Sequence, residues 1–245
     1  MAGYAVIRVA RFFIRSFCDT PSSSMKPIFD ADCRRCPRLA AFLDAVKLAE
    51  PDYYCRPVPP FGDPLARIVI VGLAPGMHGA NRTGRPFTGD HAGILLYHTL
   101  HKFGLASGPI STAADDGLEL FGTRITNSVK CLPPANKPLP AEVKECNAYL
   151  KAELEQSTSA RVIVALGAIA HAAVLRVFGL RAAACRFAHA AEHDLGEGRV
   201  LLDSYHCSRY NTQTRRLTTE MFENVIARAR GLAQLEPGRL TGTES

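Results

Sequence analysis

Arg67-Ile-Val-Ile-Val-Gly-Leu-Ala-Pro-Gly-Met-His-Gly-Ala-Asn-Arg-Thr-Gly-Arg-Pro-Phe-Thr-Gly-Asp90 decides how this chain folds. Its first seven residues form a continuous β-branched run, the pattern of a strand buried on both faces. The strand discharges directly into a loop with five glycines, Gly72, Gly76, Gly79, Gly84 and Gly89. Glycine lets backbone approach a ligand where a Cβ would clash, and Arg82, Arg85, Phe87 and Asp90 add cations, a ring and a carboxylate. That mixture suits a phosphate-bearing ligand with a planar group. Asp90 is placed to N-cap a helix over 91–103, whose apolar positions are Ile94, Leu95, Tyr97, His98 and Leu100 and whose end is Gly104.

The same order recurs downstream. Thr123 to Val129 reads as a strand, followed by the Pro-rich loop from Cys131 to Pro140 and a helix with Glu142 in its first turn. Arg161 to Gly167 is a third buried strand, followed by an alanine-rich helix to about Phe178. Arg199 to Asp203 is a fourth strand, and a last helix follows Leu217. Strands alternating with helices imply right-handed crossovers and a mostly parallel sheet covered on both faces, an α/β fold. Ligands of such sheets bind beyond the carboxyl ends of the strands, so the loops 72–90, 127–140, 167 onward and 204–216 are expected to converge on one site.

The 245 residues, 47% of them apolar, suffice for one substantial core, expected over 27–232. Twenty-nine Lys and Arg against 23 Asp and Glu give a net charge of +6, which favours a polyanionic partner without proving one. Arg8, Arg11 and Arg15 interrupt the only stretch resembling a signal-peptide core, and no apolar run approaches the roughly 20 residues of a membrane span. Residues 1–26 are therefore read as a loosely ordered extension and 233–245 as a flexible tail. Eight cysteines without a convincing export signal, two of them at Cys33-x-x-Cys36, fit a reduced cytoplasmic setting better than disulfides. That pair, with Cys131 and Cys146 fourteen residues apart in number between them, supplies four thiolates for zinc or an iron-sulfur cluster. Cys18, Cys55, Cys185 and Cys207 have no comparable spacing.

Gly-Leu-Ala-Pro-Gly at 72–76, Arg-Thr-Gly-Arg-Pro-Phe-Thr-Gly-Asp at 82–90, Thr-Asn-Ser-Val-Lys-Cys-Leu-Pro-Pro at 126–134 with Asn-Lys-Pro at 136–138, and Ser-Tyr-His-Cys-Ser-Arg at 204–209 together resemble the family 5 (B-type) uracil-DNA glycosylases with an iron-sulfur cluster. The resemblance runs from about Cys33 to Leu217. It implies a three-layer α/β/α sandwich around a central four-stranded parallel sheet, and a monofunctional hydrolase that removes uracil, and possible further deaminated or modified bases, from DNA by base flipping. It assigns a 4Fe-4S cluster to Cys33, Cys36, Cys131 and Cys146.

For the base, the resemblance implies that Asn127 reads the Watson-Crick edge, that Phe87 stacks on the ring, and that Gly72, Ala74 and Gly76 line the pocket. The resemblance further implies that His206 donates to uracil O2. Better-known glycosylases place a polar or acidic residue where this chain has Ala74, and the family 5 branch looks instead to Asp90 to stabilise the sugar cation and orient water. Arg82, Arg85, Lys130, Lys137 and Arg209 are candidate DNA contacts, and Tyr210 a candidate wedge filling the gap left by the base. Cys207 stands where other glycosylases have proline, and Arg215 where related chains have glycine.

Each reading has a plain alternative. Asp90 is also a helix cap, Asn127 a turn residue, and the basic residues a solvated face. His78, His91, His98 and His101 are read as surface or packing residues. A monomer acting on nucleoid DNA is the expectation, against a non-catalytic iron-sulfur nucleic-acid-binding module or a zinc or redox protein.

Overall fold

The computed structural model describes residues 29–235; the extension expected over 1–26 lies outside the described residues, as does the tail from 236. Six strands form one sheet in the order β1-β3-β2-β4-β6-β5. Its middle is the expected parallel quartet: β2 (Ile68–Gly72) lies between β3 (Thr123–Asn127) and β4 (Val162–Leu166), and β4 pairs with β6 (Arg199–Ser204).

The quartet is extended by two antiparallel edges absent from the sequence reading. β1 (Phe61–Gly62) has two residues against β3. β5 (Glu192–Gly196) joins β6 through Glu197 and Gly198, both with positive φ (53° and 70°), as a two-residue hairpin turn matching strand twist requires. Its Glu-His-Asp-Leu-Gly sequence buries only Leu195 and so carries no apolar signal. Short, charged edges also resist pairing with other chains.

The alternation of β2 organises the two layers on either side. Ile68 and Ile70 point into a core shared with Leu96, Tyr97 and Leu100 of α3 (His91–Lys102) and Phe222, Val225 and Ile226 of α7 (Thr219–Leu232). Val69 and Val71 face Leu150 and Leu154 of α4 (Pro140–Gln156) and Ala170, Ala173 and Val174 of α5 (Ala168–Val177). A smaller third cluster joins Leu39, Leu43 and Val46 of α1 (Pro37–Ala49) to Val129, Cys131, Leu132 and Cys146. The expected start of the tail at 233 is too early: Ala233 is fully buried, and Leu235 packs where a side chain at Gly122 would stand. Among the described residues no helix is long and apolar enough to cross a membrane.

Lys130 is a correction. Instead of reaching DNA phosphates, its ammonium turns into the protein, 1% exposed, and donates to Glu153 Oε2 at 2.7 Å and Thr126 Oγ1 at 2.5 Å. The pair ties the loop after β3 to α4. Removing one partner of a buried ion pair leaves the other uncompensated, at a cost of about 3–5 kcal/mol. Lys130→Met is therefore expected to lower stability to urea by that amount while leaving DNA affinity of the folded protein at fixed salt unchanged. A weakened salt dependence of DNA binding with normal stability would restore the phosphate role.

Candidate active site

The ends of the four parallel strands surround a cavity of about 460 Å³. Leu73 and Ala74 follow β2, Asn127 ends β3, Leu166 ends β4 and Gly167 follows it, and His206 follows β6; Gly76, Phe87, Asp90 and Arg209 complete much of the wall. The loops expected to converge do so.

Its floor depends on one close approach. Gly72 and Asn127 are cross-strand partners in the parallel ladder. A Cβ at Gly72 would stand 2.4 Å from Asn127 Oδ1 and 2.6 Å from Phe87 Cζ, distances that no side chain tolerates. The missing side chain is thus filled by the amide and the ring together. Asn127 is 3% exposed, and its Oδ1 has no hydrogen-bond partner among the described residues. An unpartnered buried amide oxygen costs about 1–3 kcal/mol, so this acceptor is available to something that enters the cavity.

Phe87 is held by its loop in a left-handed conformation, φ 55°. Left-handed backbone is unfavourable for a bulky residue and persists only when its surroundings over-determine it. They do so here. Tyr97 donates from its hydroxyl to Pro86 O at 2.7 Å, and Thr88 and Ser111 hydroxyls meet at 2.7 Å. The Phe87 carbonyl fits against Gly93, where a Cβ would lie 1.8 Å away. Arg85 supplies the remaining clamp and is the second correction among the expected phosphate contacts. It is 4% exposed, pairs with Asp116, donates to Ala113 O and Thr88 Oγ1, and lies over the Phe61 ring at 4.5 Å.

Asp90 caps its helix and also borders the cavity. Oδ1 accepts from Gly93 N at 2.8 Å and caps α3. Oδ2 faces Gly76 and Gly79; a Cβ at Gly79 would crowd it at 2.5 Å, whereas one at Gly76 would clear it at 3.6 Å. Burial raises the Asp90 pKa above the ordinary carboxylate value, against the opposing pull of the Gly93 and Ala92 amides.

His206 stacks beside Phe87, ring centroids 6.0 Å apart and planes at 28°. Its partial exposure is toward the cavity; the surrounding protein desolvates the ring and lowers its pKa to about 4, so it is neutral at physiological pH. Asn211 Nδ2 donates to the His206 carbonyl at 2.8 Å, and Ser208 caps the short helix α6 (Arg209–Gln213). Cys207, at the position where other glycosylases resembled by this chain have proline, is fully buried in the main core.

Arg209 and Tyr210 open α6 and are exposed, Tyr210 to 70%. Arg82, on the single-turn helix α2 (Ala80–Thr83), and Lys137 are exposed as well. A larger adjoining cavity of about 900 Å³ shares Gly76, Asp90, Asn136 and Arg209 and extends past His98 and Ile110. Of the residues that line both cavities, two carry no functional assignment from the sequence. His91 lines both cavities and contacts Thr212 Oγ1 at 3.0 Å, tying α3 to α6. Asn136 lines both from a left-handed turn, φ 54°, after Ala135 at 53°; its signal was an asparagine, tolerant of that conformation, inside a quoted motif.

Cys33, Cys36, Cys131 and Cys146 line a single small cavity of about 20 Å³ with Leu39, Val129 and Tyr149. Lys130 N donates to Cys146 Sγ at 3.3 Å. Among the described residues no three of these sulfurs lie within 4.8 Å of one another.

The sequence model of the uracil DNA glycosylase superfamily matches residues 59–230. The chain is 54% identical to a type-5 uracil-DNA glycosylase of Thermus thermophilus, over 83% of this chain and 94% of the relative. It is 44% identical to one of Pyrobaculum aerophilum, over 81% and 88%. A type-4 uracil-DNA glycosylase of Archaeoglobus fulgidus is 38% identical over 50% of this chain and 54% of the relative. With these matches added to the cavity at the ends of four parallel strands, the chain belongs to the uracil-DNA glycosylase superfamily, within its type-5 branch.

Proposed function

We propose that this protein hydrolyses the N-glycosidic bond of uracil in DNA, leaving an abasic site. The observation that carries the reading is the buried, unpartnered Asn127 amide beside the Phe87 ring and a neutral His206. A base in duplex DNA is reached only by extrusion. Once flipped, it stacks on Phe87, while the Asn127 amide accepts from N3-H and donates to O4. Cytosine presents the opposite pattern and leaves buried groups unpaired, which a polar site penalises strongly.

Bond cleavage builds negative charge on the leaving base and positive charge on the sugar. Neutral His206 donates to O2 as that oxygen gains charge, the role of a preorganised oxyanion donor. Asp90 Oδ2, left free by a cap that uses only Oδ1, faces the sugar cation and orients water. Exposed Tyr210 fills the vacated stack, and Arg82, Lys137 and Arg209 meet phosphates. The cavity falls within the roughly 300–1,000 Å³ that holds drug-sized ligands, room enough for hypoxanthine or a modified pyrimidine. We place the activity in a monomer on nucleoid DNA in the cytoplasm.

We further infer that Cys33, Cys36, Cys131 and Cys146 hold a 4Fe-4S cluster. What supports the reading is that all four cysteines line one small cavity and so offer four sulfur ligands to a single group. When bound, the cluster would tie the segment leading into α1 to the loop after β3 and to α4, a structural role, as hydrolysis requires no electron.

Single-turnover release of base from oligonucleotides carrying uracil, hypoxanthine or modified pyrimidines, scored after alkali, tests the activity. Uracil release is expected; tight DNA binding without release would favour the non-catalytic module. Asparagine caps helices as well as aspartate, so Asp90→Asn is expected to keep stability while slowing cleavage by about 10²–10⁴-fold. Near-normal cleavage would remove Asp90 from the chemistry.

Activity is expected to show no His206 inflection between pH 5 and 8. The folded pKa near 4 lies below the ordinary 6.5, so the unfolded chain gains a proton first as pH falls. Stability is thus lost between those values, on the order of 3 kcal/mol from this residue. A His206-dependent rise in stability on acidification would contradict the assignment. For the cluster, the purified protein should show broad visible absorption that bleaches on reduction or chelation; colourless protein containing zinc would overturn it.

A further inference from the structure

Behind the sheet edge, away from the residues assigned to the reaction, lies a second group of potential metal ligands. His171 of α5, His193 of β5 and Asp203 of β6 bring a ligand atom each within 4.8 Å of the others. Their side chains are 3%, 12% and 0% exposed. His171 Nδ1 is 2.8 Å from Asp203 Oδ1, and His193 Nε2 is 3.0 Å from Asp203 Oδ2. The two imidazoles are 5.2 Å apart at 70°, and Phe187 shields His171 edge-on at 5.6 Å.

Two features point beyond a simple hydrogen-bond network. Asp203 is a fully buried carboxylate whose side-chain partners among the described residues are these two imidazoles, so a cation placed among them meets a buried negative charge. His171 meets an oxygen at each ring nitrogen, Asp203 Oδ1 at one and the Cys185 carbonyl at 2.9 Å at the other. A neutral imidazole has one N–H and can donate to only one of these two oxygens. A divalent ion between Nδ1 and the carboxylate replaces one proton and supplies the balancing charge, while Nε2-H still donates to the Cys185 carbonyl. A backbone carbonyl on the far nitrogen is the usual orienting partner of a metal-bound histidine. Ligand atoms around a tetrahedral zinc at 2.0–2.1 Å lie about 3.3 Å apart, and the three donors here already lie within 4.8 Å of one another.

We propose that His171, His193 and Asp203 form a structural site for a first-row divalent transition metal, with zinc as the probe. Two imidazoles and a carboxylate are the donor set such ions favour over calcium or magnesium. The near-complete burial of two ligands leaves no path for a substrate, and the remaining coordination position opens on the His193 side, where water reaches it. The ion staples the β5–β6 hairpin to α5, three residues upstream of His206.

The test uses the full chain, treated with EDTA, exposed to zinc and desalted before elemental analysis. His193 sits at the sheet edge, so His193→Ala is the least disruptive removal of a ligand, and His193→Asn retains a donor to Asp203 without an imidazole ligand. Zinc held by cysteines is common to all three proteins, so the difference reports this site. The unmodified chain is expected to retain one more zinc per molecule than either variant, to bind it at least 100-fold more tightly, and to gain several degrees in thermal midpoint on zinc addition. Equal zinc contents and equal midpoints across the three proteins would overturn the proposal. Should His193→Ala fail to fold, the comparison with His193→Asn decides it alone.

Discussion

The site depends on the absence of one side chain. Gly72 ends the central strand in register with Asn127, and no other residue permits both the Asn127 amide and the Phe87 ring to occupy the space above it. From that contact the rest follows outward. Phe87 is locked in left-handed backbone by Arg85, Tyr97, Thr88 and Gly93, and the stacked His206 closes the opposite side. Preorganisation of this kind lets a site act without reorganising at the moment of reaction.

Burial then sorts groups of similar chemistry into different roles. His206 is desolvated by the surrounding protein, which lowers its pKa and keeps the ring neutral. Asp90 is desolvated too, but two backbone amides hold it back, and it keeps a free oxygen at the cavity. Capping and catalysis, read from sequence as rivals, are compatible because a carboxylate has two oxygens. The same logic separates the arginines and lysines. Arg85 and Lys130 act as internal ties with Asp116 and Glu153, so the net charge of +6 overstates what faces a polyanion from these loops.

The parallel quartet and its active end were legible because their signals are local: β-branched runs on both faces of a buried strand, glycines after it, and a capping carboxylate before a helix. Phe87, Asn127, Asp90 and His206 come together as expected because each stands at the carboxyl end of its strand or in the loop leaving it. The edge strands were not legible. β1 is two residues long, and β5 exposes charged residues with no alternation, its position set by a hairpin turn and by pairing with β6.

What the sequence determined by itself was the order of strands and helices, the end of the sheet that carries chemistry, and the residue types that meet there. Only the tertiary structure decided which way the long polar side chains turn. Lys130 points inward because Glu153, 23 residues away on α4, offers a buried carboxylate, and Arg85 because Asp116 and the Ala113 carbonyl wait beneath it. His171, His193 and Asp203 meet for the same reason: three elements separated in sequence pack against one another, and burial demands that each polar atom find a partner. A side chain's charge is written in its sequence, but the partner that neutralises it is chosen by packing.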